Sequence, residues 1–308
     1  MGAVRNMVRG LLNKVGYDVI KVNVHSESKA HKVSKVTVGK FIIDMPGNNP
    51  HISNYKYDPQ NNFQLGRLAL LIASKYPGLT AIDIGANVGD TISVIKTMID
   101  IPVIGVEGDP VSYRFLEMNT QQFSGISLIK EFLGEKRETI QVQLEKAGWN
   151  ATLVPSKDKG QELTLKTLDE VLAERQLASS NIKLLKIDTE GFDTIILRGA
   201  PELIRQYHPV LYFEFNKSNM ETIGEDGLPT LLSFTKEGYD SIVFFDNKGR
   251  YMLNASLHDK KFIEQLHHYA DENKSQIAYY DICLFHSNDR DLAESFILNE
   301  GGLLYNRS

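Results

Sequence analysis

The chain has 308 residues, 42% hydrophobic and 24% charged, which excludes a mainly disordered protein and leaves room for two domains or one large one. With 34 Lys and Arg against 39 Asp and Glu, the formal charge is −5, and this argues against gripping nucleic-acid backbone as a main task. The single cysteine, Cys283, excludes an intrachain disulfide and a cysteine-built zinc site. It reads as a small buried hydrophobe in the run from Tyr280 to Phe285, and it fits a reducing, cytoplasmic setting.

In chain order, Met1 to Val15 sets Arg5, Arg9 and Lys14 among Val4, Met7, Val8, Leu11, Leu12 and Val15, an amphipathic helix pattern. It has no cleavable leader pattern and could rest on its own fold, a dimer mate, a partner or the inner membrane surface. No stretch approaches the ~20 apolar residues of a spanning helix. Asp18 to His25 and Lys35 to Asp44 alternate as strands do, and Met45 to His51 is a Pro/Gly/Asn loop. Phe63 to Tyr76 is a helix stopped by Pro77-Gly78. Residues 1–78 thus form an α+β extension before a second domain, 79–308.

From Leu79 the pattern becomes strand and helix in alternation. Strands are expected at 81–84, 103–107, 126–129, 184–187 and 210–215, with helices at 89–98, 111–121 and 193–207. Apolar strands alternating with amphipathic helices imply a parallel sheet covered on both faces, a doubly wound α/β fold. The last strands, Asp240 to Phe245 and Ala278 to Phe285, read as an antiparallel pair separated by the helix Asp259 to Ala270. Between about 130 and 166 the alternation lapses. There Thr139 to Leu144 and Ala151 to Val154 flank Gly148-Trp149-Asn150 as an inserted hairpin, where Trp149 could stack on a sugar or plug the insertion.

Ligands bind such sheets at the carboxyl ends of the strands. The first end reads Asp83-Ile84-Gly85-Ala86-Asn87-Val88-Gly89-Asp90-Thr91. Asn87 and Asp90 stand where a dinucleotide fingerprint needs glycine, and no P-loop Lys follows. The acids at both ends repel pyrophosphate but suit a cationic nucleoside such as S-adenosylmethionine. Glu107, 24 residues beyond Asp83 on the neighbouring strand tip, is placed to accept two ribose hydroxyls. Gly108-Asp109 follows it, and Gly108 is expected to leave room for an adenine plane.

Asp188 and Glu190 close the fourth strand and Glu214 the fifth, so Asp188 and Glu214 are expected to face one cleft. They could orient and deprotonate a hydroxyl, or Asp188 and Glu214 could share a divalent cation such as Mg. Structurally, Asp188 could merely hold loop backbone and Glu190 cap the following helix. His51 could be carried over the cleft as a base or lie on a surface loop. His258, His267 and His268 read as a solvated helix face.

Several stretches resemble the FkbM family of S-adenosylmethionine-dependent methyltransferases. They are IDIGANVGDT (82–91), the run from Val106 to Asn119, TLDEVL (167–172), LLKIDTEGFDTIILRGA (184–200) and PVLYFEFN (209–216). The resemblance implies the class I methyltransferase fold, a Rossmann-like seven-stranded sheet with the last strand antiparallel. It also implies methyl transfer to a hydroxyl oxygen on a glycan, glycolipid or natural product, as in polysaccharide or secondary-metabolite assembly. By the same resemblance Asp83, Gly85, Asn87, Gly89, Thr91 and Glu107 bind cofactor, with Ala86, Asp90, Gly108 and Asp109 in the same loops. Asp188, Glu190 and Glu214 match signature positions without assigned roles. Competing readings are a nicotinamide oxidoreductase, a nucleic-acid methyltransferase and a non-catalytic nucleoside-binding module. The negative charge and the missing fingerprint oppose the first two.

Overall fold

The computed structural model describes residues 32–147, 150–155, 160–178, 180–270, 277 and 279–305. The amphipathic segment Met1 to Val15, the strand expected at Asp18 to His25 and the turn residue Trp149 lie outside them. The described chain opens with a hairpin, β1 (Val33–Val38) and β2 (Phe41–Pro46), where one strand was expected over Lys35 to Asp44. Gly39-Lys40 supplies the turn. Helices α1 (His51–Tyr57) and α2 (Phe63–Lys75) follow, so His51 starts a helix rather than ending a loop.

Next come β3 (Thr80–Ile84), α3 (Asp90–Met98), β4 (Val103–Val106), α4 (Pro110–Thr120) and β5 (Ile126–Ile129). The insertion holds β6 (Phe132–Leu133), β7 (Glu138–Ala147), β8 (Asn150–Pro155) and β9 (Gln161–Lys166). The expected hairpin is the β7–β8 pair, and with β6 and β9 it builds its own four-stranded sheet. After α5 (Leu168–Glu174) come β10 (Ile182–Ile187), α6 (Asp193–Arg198), α7 (Pro201–Tyr207) and β11 (Val210–Phe215). The single helix expected over 193–207 is broken, because Gly199 passes so close to Gly134 that a Cβ would lie 2.2 Å from its carbonyl oxygen. Pro201 then starts the second helix, where its missing N–H costs nothing.

The chain continues through α8 (Lys217–Thr222), α9 (Gly227–Ser233), β12 (Tyr239–Asp246), β13 (Tyr251–Ser256), α10 (Lys260–Tyr269), β14 (Tyr280–His286) and α11 (Arg290–Tyr305). The main sheet has the order β13-β12-β14-β11-β10-β3-β4-β5. The five strands from β11 to β5 pair in parallel, and β14 runs antiparallel between β11 and β12. This is the doubly wound arrangement with a reversed last strand that the sequence implied. It has eight strands rather than seven, because Tyr251–Ser256 folds back on β12 at the edge.

Apolar layers cover both faces of the sheet. One gathers Ile84, Ile104, Leu185, Phe213 and Ile282 with α6 and α7, the other Ala81, Leu184, Tyr212 and Phe285 with α2 and α11. A third cluster joins the first hairpin and Tyr55 to Val88 and Val94, and Asn119 bonds both the N–H and the carbonyl of Asp44 at 2.8 Å. The segment before Leu79 therefore packs directly against the helices that carry the loops at the strand ends. One expectation on side chains changes: His267 is buried against the edge of Phe215, while His258 and His268 are exposed as expected. Cys283 is buried in β14. No helix among the described residues is long and apolar enough to cross a membrane.

Candidate active site

The site grows from one row of the sheet. Lys186 on β10 lies in register with Asp83 on β3 and Tyr212 on β11, and Tyr212 with Cys283 on β14. Lys186 Nζ stands 2.9 Å from Asp83 Oδ1, with the two side chains 6% and 0% exposed. The approach is off the hydrogen-bonding direction, so both Asp83 oxygens remain buried without a hydrogen-bond partner. Burial alone would discharge Lys186, but Asp83 and Asp188 hold its ammonium charged and raise its pKa. Since alternate residues of a strand share a face, the next residues of that face at the carboxyl ends are Asp188 and Glu214, with Glu214 in register with Asp281.

The loop after β3 takes positive φ at Gly85 (69°), Asn87 (48°) and Gly89 (86°). Gly85 is required, because a Cβ there would sit 1.9 Å from the Asp188 carbonyl oxygen. The N–H groups of Gly85 and Ala86 both donate to Val106 O, which ties the loop to β4. Ala86 and Thr91 are buried beneath it. Glu107 closes β4: its Oε2 accepts the Asn87 N–H at 2.8 Å and its Oε1 the Asp109 N–H at 2.7 Å. Burial pushes its carboxyl up to about 7, against those two donors. Each oxygen keeps a lone pair for a further hydroxyl.

Two neighbours depart from the expected roles. The Asp109 carboxylate caps α4 through the N–H groups of Val111 and Ser112, so only its own N–H serves Glu107. The space beside Gly108 belongs to Phe132, whose ring a Cβ would meet at 2.4 Å. This corrects the expectation that the glycine leaves room for an adenine.

His51 reaches the same region from α1. Its Nδ1 lies 2.9 Å from Asp90 Oδ2, and Tyr55 donates its hydroxyl to that same oxygen at 2.9 Å. Burial would raise Asp90, yet His51, Tyr55 and Lys186 hold it at about 2. Burial works to lower His51, but Asp90 and Asp188 outweigh it and raise its pKa. The side chain is 27% exposed and stands at the start of α1, not in a surface loop. Sequence spacing could not show this pairing, since 39 residues separate the partners.

Asp188 stands half in solvent, 3.9 Å from Lys186 Nζ. Glu190 does not cap the following helix; it accepts the Asn219 side-chain N–H at 2.7 Å, and burial and Asp188 push it up to about 7. Asp193, missed in the sequence, does the holding: its Oδ2 accepts from the Thr189 and Gly191 N–H groups and the Thr189 hydroxyl. Burial and then Asp188 lift Asp193 to about 7, and burial drives Glu214 well above the carboxylate range. Asp281, also missed, accepts the Tyr212 hydroxyl at 2.9 Å and is pushed up to about 8 by burial. Its signal was an acid at the head of the apolar run Ile282 to Phe285.

No metal site is shown at Asp188 and Glu214. Among the described residues no three His, Cys, Asp or Glu side chains converge as a metal-holding group. A nucleoside fits at Glu107, whose two carboxylate oxygens each keep an acceptor site, while Asp83 is fully buried against Lys186 and the Asp188 carbonyl fills the space beside Gly85.

The family described as Methyltransferase FkbM domain matches residues 83–241, just over half of the chain. The chain belongs to this family. Its matched part, an S-adenosylmethionine-dependent methyltransferase domain, contains every strand end described above except β14. No curated protein matches the chain. Among solved structures, an FkbM methyltransferase from Methylobacillus flagellatus is 14% identical, with a TM-score of 0.39 over 67% of this chain and 43% of the other. The match thus spans less than half of that relative. A precorrin-6y C5,15-methyltransferase from Geobacter metallireducens is 13% identical, with a TM-score of 0.36 over 72% and 87%. A putative caffeoyl-CoA O-methyltransferase from Staphylococcus aureus is 10% identical, with a TM-score of 0.38 over 71% and 82%.

Proposed function

We propose that this FkbM protein transfers a methyl group from S-adenosylmethionine to a hydroxyl of a sugar, glycan or glycosylated metabolite, in a reducing cytoplasmic setting. The observation that carries the reading is the His51–Asp90 pair beside the cofactor loop. A hydroxyl is a poor nucleophile until its proton has somewhere to go. Asp90 takes the Nδ1 side of the imidazole, which leaves Nε2 to accept that proton. The side chain is 27% exposed, so an acceptor can reach it.

The cofactor, when bound, supplies a carbon already activated by a sulfonium leaving group. Glu107 would face its ribose hydroxyls, Gly85, Ala86, Asn87, Gly89 and Thr91 would shape the seat, and Asp83, fully buried against Lys186, would hold that seat from beneath. His51 Nε2 would take the acceptor's hydroxyl proton as that oxygen accepts the methyl group. Asp188 would orient the acceptor from the opposite strand end, and Glu190 and Glu214 would receive its other hydroxyls. Carboxyl-rich walls suit a polyhydroxylated ligand and repel the phosphates of nucleic acid.

Radiolabel transfer from S-adenosylmethionine to a panel of monosaccharides, nucleotide sugars and oligosaccharides tests this. Label in a sugar product, lost in His51→Gln, supports the reading. Label found only in RNA, or S-adenosylhomocysteine that fails to bind in calorimetry, overturns it.

A further inference from the structure

His51 and Tyr55 stand one helical turn apart on α1, so their side chains leave the helix on the same face. Both end on one atom. Asp90 Oδ2 lies 2.9 Å from His51 Nδ1 and accepts the Tyr55 hydroxyl at 2.9 Å. A carboxylate oxygen has two lone pairs, and these two donors fill them. Tyr55 is 3% exposed and packs among Val36, Val38, Ile43, Val88 and Val94, which hold its ring in place. The start of α1 is fixed in turn by Asn49, whose Oδ1 accepts the His51 N–H at 2.8 Å.

The phenol stays protonated, because burial and the charge of Asp90 push it well above its usual range, so it acts on Asp90 as a donor alone. A base must be neutral to take a proton, and the charges around His51 oppose that. Asp90 on α3, with Asp188 and Glu190 in the loop after β10, favours the imidazolium, while Lys186 on β10 disfavours it. Asp90 is the strongest of these. Two donors on one oxygen compete for its charge, so the Tyr55 hydroxyl loosens the hold of Asp90 on the imidazolium.

We infer that Tyr55 is a positioning residue for the reaction: by sharing Asp90 Oδ2 with His51, it sets the pH range in which His51 serves as the base. The inference rests on the reading of His51 as the group that takes the acceptor's proton, and it adds the residue that keeps this base available. The influence passes through Asp90 rather than through the two rings, whose centroids lie 6.5 Å apart at 57°.

The test follows the His51 ring protons by NMR from about pH 5 to pH 9 in the full chain and in Tyr55→Phe, which keeps the ring and removes the donor. The His51 titration is expected to move up by about 0.3 unit or more, a twofold change in its protonation constant. With a sugar acceptor, the acid limb of the kcat profile should move the same way, so the deficit of the variant shrinks as pH rises. A merely structural role for Tyr55 would give a deficit independent of pH. Fluorotyrosine in place of Tyr55, a more acidic phenol and a stronger donor, should move the titration down, and it decides the matter if Tyr55→Phe does not fold. A titration that these replacements leave unmoved, or move the opposite way, overturns the inference and leaves the base reading intact. Full methyl transfer by His51→Gln overturns the base reading, and the inference with it, whatever the NMR shows.

Discussion

His51 and Asp90 meet at 2.9 Å across 39 positions of chain, with the aspartate in the first turn of α3 and the histidine in the first turn of α1. The aspartate is the stronger partner, because the positive end of α3 and three donors or cations favour its charge. Asp90→Asn should therefore lower the pH at which His51 titrates, read from its ring proton in NMR. The sign for stability follows. The folded pKa of His51 lies above 6.5, so its contribution is complete below 6.5 and fades as pH rises through the folded value. With a sugar acceptor in hand, His51→Gln should lose about 10²- to 10⁴-fold in kcat, with S-adenosylhomocysteine affinity retained.

Lys186 is the buried cation that Asp83 answers, and removing it leaves an uncompensated carboxylate. Lys186→Met should cost about 3–5 kcal/mol in urea denaturation. Adding Asp83→Asn in the same chain should restore part of that loss. No recovery in the double variant would show that the lysine works mainly through Ile84 and Gly85 carbonyl contacts instead.

Glu107 gives a stability dependence of the same sign, with a separate effect on cofactor binding. Its folded pKa of about 7 is above the ordinary 4.5, so its contribution to stability is complete below 4.5 and lost as pH rises through about 7. The ionised form is the better acceptor for ribose hydroxyls. S-adenosylhomocysteine affinity should accordingly fall by up to about fivefold from pH 7 to pH 6 and level off above pH 8. Calorimetry on Glu107→Gln should give weaker binding with a flat profile over that range.

Gly85→Ala would force a methyl group against the Asp188 carbonyl while holding φ at 69°. The loop must move, and we expect a loss of roughly 1–3 kcal/mol or more, visible as a lower Tm in calorimetry. Cofactor affinity should drop as well, since the Asn87 N–H that anchors Glu107 moves with the loop.

The legible parts of the sequence were those with a local period. The units β3 to α3 and β4 to α4 announced themselves through apolar runs ending in Gly or Asp, and the hairpin β7–β8 through its alternation. Features fixed by distant contacts were not legible. The break at Gly199 depends on Gly134, which lies in another element of the fold. Strand β13 is short, mixed and half-exposed at a sheet edge, so it lacks the apolar run that marks a central strand. In the candidate site, Asp83, Glu107, Asp188 and Glu214 stood out because each sits at or just beyond the carboxyl end of a strand. Asp193 is the first residue of a helix and Asp281 lies at the start of a reversed strand, so neither carried that signal. The His51–Asp90 pair had no signal at all, since it joins two helices brought together only by packing.

The position of β14 between β11 and β12 has a bearing on how the protein comes to be active. During synthesis, β3 to β5 and β10 to β11 emerge and can pair well before Tyr280 leaves the ribosome. Until then the edge of β11 is open and Glu214 has nothing across from it. Insertion of β14 fills the gap, brings Asp281 opposite Glu214, and lets Tyr212 give its hydroxyl to Asp281. The cofactor half of the cleft can thus assemble early, whereas its far wall is finished only by the last strand to be made. A nascent chain arrested before residue 280 should bind nucleoside without holding an acceptor.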